Sequence, residues 1–171
     1  MKVSKLVSRM ILVMVFAAMA NVSFAKAKDH DGEIIAYVQA LDNGEVAVSK
    51  MAKDKNVDAS VNQFADMMID QHGQNLQQVT DLSSKINVPA DETAGVKKFK
   101  EKSDKDMSNL SKMTGAQFQK AYIQAMIKGH TEASKMITQF EKEAQNAELK
   151  SFLADTEKAV EHHLAEAKKM K

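Results

Sequence analysis

Apolar residues recur along most of this chain at intervals of three and four, the spacing that lines one face of an α-helix. No window alternates apolar and polar residues as a half-buried strand would. Ile34, Val38, Leu41, Val48 and Ala52 predict a first helix over roughly residues 31–54. Val61, Ala65, Met68, Leu76 and Val79 predict a second over roughly 58–86. Asn56 to Asp58 separates the two, and Asn87, Val88, Pro89 and Ala90 mark the second one's end. Asp91 precedes a lysine-rich segment, VKKFKEKSDKDMSNLSKM, with a thin stripe of Val96, Phe99, Met107 and Leu110. Thr114 and Gly115 open a third long helix to about residue 144, carrying Ile123, Met126, Ile127 and Ile137. Asn146 leads into the last, which buries Leu149, Phe152, Leu153, Thr156, Val160 and Ala167.

The extra segment fixes the expected connectivity. About 18 helical residues at 1.5 Å rise span about 27 Å, the length of the long helices' packed region. A short loop would set the third long helix antiparallel to the second, whereas a full-length return sets it parallel. The expectation is therefore an all-α fold, a ferritin-like four-helix bundle with an additional crossover helix between helices 2 and 3.

Each long helix breaks its apolar stripe at one ionisable residue: Glu45, His72, His130 and His163. Counted from the helix ends, all four fall near mid-bundle, within roughly two turns of each other. Two readings stand side by side. Three neutral imidazoles and a carboxylate can satisfy one another, for example Glu45 accepting from one ring N–H, and merely fix helix register. Alternatively, they are ligands to a transition ion such as Zn, Fe, Mn or Cu, for which imidazole and carboxylate are suitable donors. No Glu-x-x-His pair occurs at these histidines, which argues against a di-iron carboxylate site. His162 lies about 100° around the helix from His163 and is expected to face solvent, and His30 sits in a loose DHDGE segment. Met68 and Met126 each stand one turn before a histidine, an arrangement suited to copper(I) but equally ordinary as core filling.

Composition narrows the function classes. The chain has 171 residues, one Pro, six Gly, no Trp and no Cys, so disulfides, thiolate zinc sites and thiol catalysis are excluded. Lys2, Lys5 and Arg9 precede the apolar run MILVMVFAAMA, followed by small residues at Ser23, Ala25 and Ala27. That pattern predicts a signal peptide over 1–25 with cleavage after Ala25, leaving one domain over 26–171 and an exported protein. The run is too short to span a bilayer comfortably, so no transmembrane segment is expected in the mature chain. Losing three cations and no anions takes the formal net charge from +1 to −2, which gives no electrostatic case for nucleic acid. No phosphate loop, nucleophile elbow or Ser/His/Asp spacing is present, so no catalytic residue is assigned. A monomer or weak dimer with a possible metal ion is the expected state.

The segments DNGEVAVSKMA, FADMMIDQH, GAQFQKAYIQAMIKGH and VEHHLAEA, in this order and separation, resemble a bacterial family of ferritin-like domains of unknown function, labelled outer-membrane proteins. The resemblance covers essentially the whole mature chain and implies the bundle fold, an envelope location and the positions Glu45, His72, His130 and His163. Two departures are visible: Gln71 stands where an acidic residue usually precedes the helix 2 histidine, and Lys158 where a proline is common. The first weakens the expectation of an extra carboxylate at the site. Because the chain shows neither barrel strands nor an anchor, the family label is read here as periplasmic or peripherally bound.

Overall fold

The computed structural model describes residues 30–171, and the expected signal peptide lies outside them. They form five helices: α1 (Asp31–Lys53), α2 (Ala59–Lys85), α3 (Ala94–Ser111), α4 (Gly115–Glu143) and α5 (Ala147–Lys169). The fold is all-α among the described residues, and no helix there is long and apolar enough to cross a membrane. The breaks fall where the sequence places them. Asn56 and Asn87 take positive φ values of 47° and 54° in the first two connections. Asparagine tolerates that left-handed conformation better than most residues, because its short polar side chain can bond locally.

Contacts along the helices give their directions. Asp42 meets His72 and Lys53 meets Asp66, so α1 and α2 run antiparallel. Tyr37 packs on Phe140 and Ser49 bonds Tyr122, so α1 and α4 are also antiparallel. Gln71 reaches His163 and Asn75 reaches Thr156, which sets α5 against α2 in the opposite sense. α3 runs beside α1 in the same direction, with Thr93 on Glu33, Phe99 on Tyr37 and the Lys55 ammonium on the Ser111 carbonyl.

This last helix is the least embedded. Only Val96 and Leu110 are buried on α3, as its thin stripe requires, and its lysines face solvent. Two glycines let its start sit close to α1. A Cβ on Gly95 would meet the Tyr37 hydroxyl at 2.6 Å, and one on Gly32 would meet the Pro89 carbonyl at 2.7 Å.

The apolar core is divided. One cluster gathers Ala52, Val61, Phe64, Met68, Phe118, Tyr122 and Met126, with Phe118 and Tyr122 stacked at 5.9 Å. The buried Tyr122 hydroxyl bonds Ser49 at 3.0 Å, so it carries no unmet polar group into the core. The other cluster gathers Ile34, Val38, Val79, Ile137, Leu149, Leu153 and Val160. On each long helix the polar position singled out from sequence falls between the two clusters.

The start of α5 is held by its own cap and by α1. Asn146 Oδ1 accepts from the Glu148 and Leu149 amides, at 2.8 and 3.1 Å. Both carboxylate oxygens of the buried Asp31 accept backbone amides of the preceding turn, Gln145 and Asn146, at 2.8 Å. Asn146→Ala is expected to lower unfolding free energy by about 1 kcal/mol, measured by urea titration, because two helix N–H groups lose their acceptor.

Candidate metal centre

Between the two apolar clusters, α2, α4 and α5 bring His72, His130 and His163 together, with ring centroids 5.0, 5.4 and 5.8 Å apart. All three are buried, at 3%, 1% and 1% exposure, and one ring nitrogen from each lies within 4.8 Å of the others. Bond lengths of about 2.0–2.1 Å put tetrahedral nitrogen ligands about 3.4 Å apart, so a contraction of little more than about 1 Å would close them on one ion. Glu45 adjoins them from α1. Its Oε1 lies 3.6 Å from where a Cβ on Gly129 would stand, and its charge acts on His130.

The protonation pattern is set by the bonds behind each ring. The Nδ1–H of His130 donates to the Met126 carbonyl at 2.8 Å, which leaves Nε2 with a lone pair. His72 Nδ1–H donates to Asp42 Oδ1 at 2.8 Å, again leaving Nε2. His163 uses its other nitrogen: Nε2–H donates to Gln71 Oε1 at 2.7 Å and leaves Nδ1. Among the described residues, the buried side-chain atoms without a hydrogen-bond partner are His72 Nε2, His130 Nε2, His163 Nδ1 and Glu45 Oε2. The three ring nitrogens are acceptors in these tautomers. None of the three can donate to another.

Protonation is opposed at two of the rings, His130 and His163. Burial lowers the pKa of His130, partly offset by Glu45, with the neighbouring His72 opposing protonation further. Burial, then the other histidines, push His163 down to about 3. Asp42 is raised by burial, against the lowering pull of His72 and Asn75.

These shifts make a signed prediction for the metal-free chain. A histidine whose folded value lies below the unfolded 6.5 binds fewer protons folded than unfolded between the two values. Stability is thus full above 6.5 and falls as pH drops through that window. His163 alone is expected to cost about 2 kcal/mol between pH 7 and pH 5. The raised Asp42 acts in the opposite sense lower in the acid range, taking up its proton more readily folded than unfolded. Urea midpoints that stay flat from pH 7 to 5 would contradict this burial.

Two participants were not singled out from sequence. Asp42, at 0% exposure, also accepts from Asn75 Nδ2 at 2.9 Å, and Asn75 Oδ1 accepts from Thr156 at 3.1 Å. The carboxylate behind a ring N–H is therefore Asp42, not Glu45. Gln71, expected only to lack a charge, instead orients His163 through its amide oxygen. His162 is exposed and 3.9 Å from Glu166, while Met68 and Met126 lie in the apolar cluster. His30 stands at the start of α1, beside Glu33 at 3.3 Å, away from the centre.

The class defined so far is an all-helical protein with a buried tri-histidine cluster and an adjoining carboxylate. A family model described as Domain of unknown function (DUF4142) matches residues 17–170, and the chain belongs to that family. No curated protein and no solved structure matches it.

Proposed function

We propose that this is an exported metal-binding helical bundle of the bacterial envelope, of the ferritin-like class with α3 as the crossover, serving metal handling or stress protection. The architecture rests on the helix directions: α2 and α4 are each antiparallel to α1, and α3 runs the length between them. One observation carries the metal reading: the four buried acceptors without partners belong to Glu45, His72, His130 and His163 and to no other described residue. One ring nitrogen from each of the three histidines lies within 4.8 Å of the others, close enough to share one cation, and the Glu45 charge acts on His130 beside them. Asp42, the Met126 carbonyl and Gln71 hold each ring with its lone pair available, the outer-shell pattern of metal-ligating histidines. When bound, such an ion supplies Lewis acidity; the chain supplies neutral imidazoles, a carboxylate and exclusion of water. Zn, Fe, Mn and Cu all suit this donor set.

A second reading has its own support: the Asp42–Asn75–Thr156 chain ties α1, α2 and α5 and would fix register without any ion. Metal content separates the two. Mature protein purified without an affinity tag and given micromolar ion, then desalted, is expected to retain one equivalent per chain by mass spectrometry of the elements. Retention of none would leave the register reading standing.

A further inference from the structure

A cavity of about 300 Å³ lies between α1, α3 and α4, walled by Leu41, Val48, Phe99, Met107 and Met136, with Glu45 among its lining. That volume is at the lower end of the range for small-molecule sites, which are mostly apolar with a few placed polar groups. Two mid-helix glycines, Gly44 and Gly129, line it from facing helices. Neither has positive φ, so backbone conformation does not require them, and each costs its helix about 1 kcal/mol relative to alanine. What they provide is room: a Cβ on Gly44 would stand 3.1 Å from Ser103 Oγ.

The charges inside select the ligand. At the rim, Lys102 is paired with Asp106 at 3.1 Å, and Glu132 faces Lys128 at 3.9 Å. Glu45, which lines the cavity, forms no salt bridge of this kind; its Oε2 is shut off from water, so Oε1 is the oxygen open to a ligand. An apolar wall beside an unpaired carboxylate favours an ammonium, which offers three donors, and opposes a carboxylate.

We propose that this cavity binds a small apolar molecule with one cationic head, an alkyl- or arylalkylamine, with Glu45 as its counter-ion. The proposal goes beyond the metal reading and does not rest on it, although an ion on Glu45 would compete with the amine.

The test uses metal-free mature protein with methyl-labelled methionine and three matched probes: 4-phenylbutylamine, 4-phenylbutanol and 4-phenylbutanoate. The amine is expected to shift the Met107, Met126 and Met136 methyl signals and leave Met67 and Met170 in place. It should bind about tenfold more tightly than the alcohol, with the carboxylate weakest, as a charge-assisted hydrogen bond implies. Glu45→Gln should bring amine and alcohol within about twofold of each other while the alcohol still binds. Ala125→Phe, which fills the cavity, should weaken all three, its melting curve reporting that it folds. Carboxylate binding equal to the amine's, shifts spread to Met67 and Met170, or an amine preference that survives Glu45→Gln would each overturn the proposal. A chain that binds the amine but no ion refutes the metal reading alone; one that binds an ion but no amine refutes this inference alone.

Discussion

A first-row transition ion at about 100 times its Kd is expected to stabilise the folded chain by about 2.7 kcal/mol, because a ligand held only by the native state shifts unfolding by mass action. For a domain of this size that is on the order of 10 °C in melting temperature. The rise should depend on the cluster one ring at a time. His130→Ala removes a lone pair from the buried set and is expected to abolish the shift. His162→Ala is the matched control, since that ring is one residue from His163 in sequence yet exposed, beside Glu166. Differential scanning calorimetry with and without ion reads both. Equal effects of the two substitutions, or no shift with any ion, would remove the metal centre as drawn.

The second large effect is expected at Asp42. Asp42→Ala leaves two donors, the buried His72 ring N–H and the half-buried Asn75 amide, without their acceptor. At roughly 1–3 kcal/mol for each orphaned group, the metal-free chain should lose about 2–5 kcal/mol of stability. Asp42→Asn separates stability from ligation. Its amide can donate to His72 Nδ1, which moves the ring proton to Nε2, so that a donor points where a lone pair stood. The expected result is a folded protein, by circular dichroism and urea titration, whose metal affinity has fallen by about 10- to 100-fold. Unchanged affinity in the asparagine variant would show that the tautomer of His72 does not matter to the ion.

Much of this was legible in the sequence because each long helix signals its buried face by spacing. The breaks at Asn56 and Asn87 and the thin stripe of α3 were equally readable, and helix limits differ from expectation by one or two residues. The four polar positions stood out because each interrupts an apolar series, and the unpartnered buried acceptors fall on those same four residues. Asp42 did not stand out, for a geometric reason. α1 packs against α2, α3 and α4, so far more of its circumference is inside than one stripe describes: Ile35, Ala36, Asp42 and Ser49 are buried as well. A pattern search that assumes one buried face assigns such residues to solvent. Gln71 escaped for a related reason, since α2 lies between α1 and α5, and a residue one position from His72 faces the second neighbour.

The division of the core by a polar layer bears on how the protein tolerates change. Residues such as Phe118 and Leu153 belong to separate clusters, with the polar layer between them. Substitutions in the two halves should then add in free energy, as independent sites do, while pairs that include Asp42 or a histidine should not. Each half can therefore drift in sequence on its own, and the waist between them is where a change in one helix demands an answer from another.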